Sequence, residues 1–210
     1  ALTLTSFTLD TTANTPSETT AVSTPTNDAT PDVVITTDEA GTIAVAGTTG
    51  CGLSSTATMA SGSNTVTLSI AGSTEGAYTC TITFTDTLNT AASALTLTAF
   101  TLDTSVATPS ETTAVSTPTN DASPDVVITT TQAGTIVVAG TTGCGVDSAA
   151  VVSGSQTITL STITAGDGAY VCTITFTDSA GNAASALTLT SFTLDTTANT
   201  PSETTAVSTP

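Results

Sequence analysis

Short segments of this chain alternate strictly between apolar and polar side chains. In GAYTCTITFTD, residues 76–86, Tyr78, Cys80, Ile82 and Phe84 hold one parity and Thr79, Thr81, Thr83 and Thr85 the other. The pattern returns as GAYVCTITFTD at 168–178, with Tyr170, Cys172, Ile174 and Phe176 on the apolar parity. A period of two sends successive side chains to opposite faces of a strand. One face is therefore predicted to be core, holding Tyr78, Ile82, Phe84, Tyr170, Ile174 and Phe176, and the other a threonine surface.

The same reading, with turn residues as punctuation, predicts strands at 18–24, 32–37, 42–49, 64–70, 77–85 and 94–103 of the first half, plus a short one in TATMA at 56–60. About seven short strands with closely spaced turns are the signature of an antiparallel β-sandwich. No window carries a 3.6-residue apolar period, so essentially no helix is expected. In the closing strand Leu95 and Leu97 share one parity and Phe100 and Leu102 the other. That phase change requires a bulge, or a strand that leaves one core for another environment.

Repeats organise the chain. Residues 1–37 return with few changes at 94–130, and GTTGCG at 47–52 returns at 140–145, a period of 92 to 93 residues. Residues 1–25 also recur letter for letter at 186–210, whereas the copy at 94–118 differs at several positions. Two alternating repeat types with a super-period of 185 residues explain this. The expected organisation is a last strand of a preceding repeat at 1–10, one repeat at 11–103, a second at 104–195, and the first strand of a following repeat at 196–210. The chain opens on Ala1 rather than Met, and is expected to be a processed product or a window of a longer polypeptide.

Composition narrows function sharply. There is no Lys, Arg or His against 17 Asp plus Glu, a net charge of -17. Without a cation the chain cannot neutralise phosphates, so nucleic acid and anionic membrane surfaces are excluded as direct partners. No stretch approaches the roughly 18 to 20 apolar residues that span a bilayer as a helix, so no membrane insertion is expected in this segment. General-base histidine, Schiff-base lysine and imidazole metal ligands are all missing, and lysine isopeptide cross-links cannot form. Only carboxylates and thiols remain for chemistry, and no enzyme is expected.

FTDSAGNAAS (176–185), its looser copy FTDTLNTAAS (84–93), and the phrase FTLDTTANTP (7–16 and 192–201) resemble the bacterial immunoglobulin-like tandem repeats of giant surface adhesins and extracellular fibre proteins. The resemblance implies all-β, tandem Ig-like antiparallel sandwiches that form an extracellular, cell-surface stalk or filament without activity of its own. A ligand-binding adhesion module for a carbohydrate or receptor is the alternative, with the loop at 50–62, which differs most from its counterpart at 143–154, as its candidate surface. The expected partner is the chain itself, continuous through many repeats and able to associate laterally through threonine faces; strand exchange between separate protomers is the other route.

Each repeat has two cysteines, Cys51 with Cys80 and Cys144 with Cys172. If Cys51 keeps the parity of Ile43 and Val45, it faces the same core as Cys80, and a disulfide could tie the end of the third strand to the penultimate one. A redox or metal pair is the competing reading; the spacing is not C-x-x-C and no His is at hand, which favours a structural bridge and an oxidising compartment. Tyr78 and Tyr170 precede their cysteines by two residues, as in a tyrosine corner. The early position of the first cysteine, however, speaks against a standard inter-sheet disulfide. No cofactor is expected, with Ca²⁺ the one ion that Asp10, Asp86, Asp103 and Asp178 could take near strand ends; turn-forming Asx chemistry is the alternative.

Overall fold

A computed structural model describes residues 3, 5, 9–47, 50–54, 58–140, 144–146, 150–161, 163, 166–202 and 204. The chain divides into two compact units, Ala1–Ser105 and Val106–Pro210. Both are all-β; the helical element among the described residues is one 3₁₀ turn, Ala71–Ser73.

In the first unit the strands are β1 (Ser17–Thr20), β2 (Asp32–Thr37), β3 (Gly41–Gly47), β4 (Cys51–Leu53), β5 (Thr58–Met59), β6 (Gly62–Ile70), β7 (Gly76–Tyr78), β8 (Cys80–Asp86), β9 (Leu95–Thr96) and β10 (Phe100–Leu102). They form one sheet in the order β1-β2-β6-β4, a second in the order β5-β3-β8-β9, and a two-stranded ribbon of β7 and β10. Every strand pair is antiparallel. Val33 and Ile35 of β2 and Val66, Leu68 and Ile70 of β6 meet Ile43 of β3 and Cys80, Ile82 and Phe84 of β8 in a single buried cluster. Thr81, Thr83 and Thr85 lie on the opposite parity of β8 and are only partly buried.

Among the described residues of this unit ten strands stand where the periodicity predicts about seven, for three local reasons. The segment around Cys51 is a strand, β4, paired to β6 rather than a loop. The strand expected at 77–85 divides at Thr79, because Gly76–Tyr78 pairs with β10 whereas Cys80–Asp86 pairs with β3 and β9. The closing strand divides as well. Leu97 N–H still donates to the Cys80 carbonyl at 2.9 Å, and Phe100 lies opposite Tyr78. Thr98 and Ala99 thus face Thr79 alone, which is a β-bulge of one extra residue.

The bulge explains the parity flip without a change of core, since Leu97, Phe100 and Leu102 belong to the same cluster. Its freed amide is not lost: Glu18 Oε2 accepts from both the Thr98 N–H and the Thr98 hydroxyl at 2.8 Å. The opening strand is shorter than 18–24 because the chain leaves β2 after Thr20 and crosses to β10, where Thr26 N–H donates to the Thr101 carbonyl and Thr26 O accepts from Asp103 N–H.

The second unit repeats this plan with β11 (Ser110–Thr113), β12 (Asp125–Thr130), β13 (Gly134–Gly140), β14 (Gly145–Val146), β15 (Ala150–Val151), β16 (Gly154–Ser161), β17 (Gly168–Tyr170), β18 (Cys172–Asp178), β19 (Leu187–Thr188) and β20 (Phe192–Leu194). Its sheets run β11-β12-β16-β14 and β15-β13-β18-β19, with a β17-β20 ribbon. Glu111 holds the bulge amide of Thr190 as Glu18 holds that of Thr98. Ile174, Phe176 and Tyr170 sit in a separate cluster of this unit's own residues.

Candidate functional site

Each unit is fastened by one buried disulfide. Cys51 and Cys80 are joined at 2.04 Å and Cys144 and Cys172 at 2.00 Å, and there is no free cysteine. Cys51 opens β4, which belongs to the β1-β2-β6 sheet, and Cys80 opens β8 of the other sheet. The bridges are therefore inter-sheet after all: pairing of Cys51–Leu53 with β6 carries the first cysteine across the sandwich, a step that parity along the chain does not reveal. Gly47, the last residue of β3, makes room for the sulfur, since a Cβ there would lie 2.7 Å from Cys51 Sγ.

Beside each bridge a buried tyrosine pins a turn. Tyr78 stacks on Phe100 with ring centroids 5.8 Å apart, and its hydroxyl donates to the Thr74 carbonyl four residues upstream. Tyr170 does the same with Phe192 and the Gly166 carbonyl. The two tyrosines are thus core side chains and corner residues at once.

A different chemistry gathers where β2 and β8 of the first unit end. β2 closes in a turn shaped by the buried Thr37, whose hydroxyl donates to the Glu39 carbonyl and accepts from the Glu39 N–H. That turn presents the Glu39 carboxylate. β8 closes in a second turn whose geometry is set by Asp86: its Oδ1 accepts from the N–H groups of Leu88 and Thr90, both at 2.8 Å. Asp10 contributes from the incoming segment, its Oδ1 accepting from Thr12 N–H at 3.1 Å.

One carboxylate oxygen from each of Asp10, Glu39 and Asp86 lies within 4.8 Å of the others. Asp86 is 8% exposed, and its Oδ2 is buried with no hydrogen-bond partner, as is Glu39 Oε2. Three like charges and orphaned acceptors in one place are costly. The sequence contains no Lys, Arg or His to offset them. An all-oxygen donor set of this kind suits a hard divalent cation completed by carbonyls or water, above all Ca²⁺.

The structure therefore brings Asp10 and Asp86 together as calcium candidates and adds Glu39, which is not among the residues singled out from the sequence and whose counterpart in the second repeat is the neutral Gln132. Asp178 occupies the place of Asp86 but is fully hydrogen-bonded within its own turn: Oδ1 accepts from the N–H groups of Ala180 and Asn182 at 2.9 Å, and Oδ2 from the Asn182 side-chain amide at 3.0 Å. Asp103 Oδ1 accepts from Ser105 N–H at 3.3 Å in an Asx-type turn. Part of the loop at 50–62, with its counterpart at 143–154, falls outside the described residues, at 55–57, 143 and 147–149.

One further acidic contact was invisible in the sequence. Asp167, just before β17, accepts from the hydroxyls of Thr196 and Thr197, which follow β20, at 2.6 Å and from the Thr196 N–H at 2.7 Å. These bonds to Thr196 and then Thr197 pull its pKa down to about 2. Glu75 makes the equivalent clamp on Thr104 and Ser105, and its pKa is lowered by Ser105 first and Thr104 next.

Comparison with known proteins gives the frame for these features. Residues 96–196 match the family model described as "Bacterial Ig-like domain". Among solved structures, the D00-D0 domain of intimin aligns with 86% of this chain and 98% of that chain, at 11% identity and a TM-score of 0.34. The BSP domain of a biofilm associated protein aligns with 88% of this chain at 19% identity and a TM-score of 0.28; the match spans 30% of that chain. No curated protein matches.

Proposed function

We propose, from the match of residues 96–196 to the bacterial Ig-like domain model, that the chain is a repeat segment of an extracellular stalk, filament or adhesin that extends from a cell surface and acts by spacing, not by catalysis. The observation that carries this reading is the construction of the two units: the same sandwich twice, each closed by its own buried inter-sheet disulfide. Both bridges fit an oxidising compartment. Among the described residues no helix is long and apolar enough to cross a membrane. Outward-facing threonines on β8 and its counterpart leave hydroxyls, rather than charge, to keep the surface wet.

The same reading assigns Asp10, Glu39 and Asp86 to a calcium ion that would cross-brace the ends of β2 and β8 with the segment entering the repeat. Support comes from the unpartnered buried Oδ2 of Asp86 and from the absence of any cationic side chain in the sequence. Chains of increasing repeat number test the spacing role. Contour length by electron microscopy or small-angle scattering should grow linearly with repeat number, and the 210-residue chain should bind nothing on glycan and receptor arrays. Saturable binding on such an array would favour the ligand-binding adhesion module instead.

A further inference from the structure

We infer that cation binding is confined to one of the two repeat types, so that in a chain of alternating repeats only every second one responds to calcium. The inference rests on the calcium reading of Asp10, Glu39 and Asp86, and adds what the second unit does in the same place. Both units build the same scaffold there. Thr130 shapes the turn at Gln132 as Thr37 shapes the turn at Glu39. Asp178 ends β18 as Asp86 ends β8 and takes the same two backbone amides on Oδ1.

Two substitutions between the repeats then decide the chemistry. Thr90 of the first unit becomes Asn182, whose side-chain amide donates to Asp178 Oδ2 at 3.0 Å and occupies the acceptor that Asp86 leaves open. Glu39 becomes the neutral Gln132, whose Oε1 accepts from Ala107 N–H. One charge is removed and the buried carboxylate is closed internally, so the second unit has neither the surplus of acceptors nor the like-charge cost that a cation would relieve. In the first unit, among the described residues, Glu39 Oε1 accepts from the Asn14 side-chain amide at 3.2 Å and Oε2 stays open. The sequence after the second repeat returns to the first type, since residues 196–210 repeat residues 11–25 letter for letter, Asn199 standing where Asn14 does.

Isothermal titration of the intact 210-residue chain with CaCl₂ alone tests the inference. One equivalent should bind, and Glu39→Gln, which installs what the second unit already carries, should abolish it with the fold intact. The double variant Gln132→Glu with Asn182→Thr should raise the count to two. Two equivalents in the unaltered chain would overturn the alternation while leaving the calcium reading in place. No heat in any of the three proteins would overturn the calcium reading, and the alternation with it. A count of one in the double variant would show that these two residues do not carry the difference.

Discussion

At Gly41 and Gly134 the sandwich has no room for a methyl group. A Cβ on Gly41 would lie 2.2 Å from the Thr85 carbonyl oxygen and 2.6 Å from the Phe84 ring, and one on Gly134 would lie 2.2 Å from the Thr177 carbonyl. Because the nearest atom is backbone within a seven-residue ladder, it cannot swing aside. Gly41→Ala should therefore cost about 2 kcal/mol or more by overpacking, read as a lower midpoint in denaturant with an unchanged slope. The Asp167 clamp makes a pH prediction at the same scale. Its folded pKa of about 2 lies below its ordinary 3.8, so the contact stabilises the folded state fully above 3.8 and is lost as pH falls through about 2. Protection of the Thr196 amide, taken relative to free-chain exchange at each pH, should hold down to about that pH and fall below it, and Asp167→Asn should remove that step; an exposed contact of this kind is visible locally rather than in the melting temperature.

Among the elements, the ribbon of β7 and β10 depends most on one side chain. The Tyr78 hydroxyl ties the strand to Thr74 while the ring packs on Phe100 across the pair. Tyr78→Phe keeps the ring and should cost about 1 kcal/mol, the net worth of a hydrogen bond, whereas Tyr78→Ala should cost about 3 to 5 kcal/mol by emptying the core; chemical denaturation of the two variants separates the contributions. Alternation made the inner residues of β8 legible from sequence, because a strand with one buried face has no other way to be written. The bulge after Leu97 was legible as a parity flip, though not that both phases serve one core. Partner identity was not legible. Nothing along Cys51–Leu53 says that its hydrogen bonds go to β6, so the inter-sheet course of the bridge was missed. Glu39 was missed for a related reason: repetition directs attention to what two copies share, and this residue matters where they differ.

For the whole molecule, the question is how far stability is local to each unit. The buried clusters contain Ile82 in one unit and Ile174 in the other, with no residue in common. The disulfides close 29 and 28 residues respectively. In the chain-entropy account each contributes about 3.5 kcal/mol, a large share of the roughly 5 to 15 kcal/mol that holds a small domain together. A double substitution, Cys51→Ala with Cys80→Ala, should therefore bring the first unit close to its limit by enlarging its unfolded ensemble, without touching the second unit's loop. The expected outcome is a loss of amide protection at Ile82 of two orders of magnitude or more, about 3.5 kcal/mol at 1.4 kcal/mol per tenfold, with Ile174 unchanged. Equal loss at both residues would mean that the units unfold as one body. A stalk built of separately riveted units would then lose its mechanical logic, because a load that opened one unit would open its neighbour too.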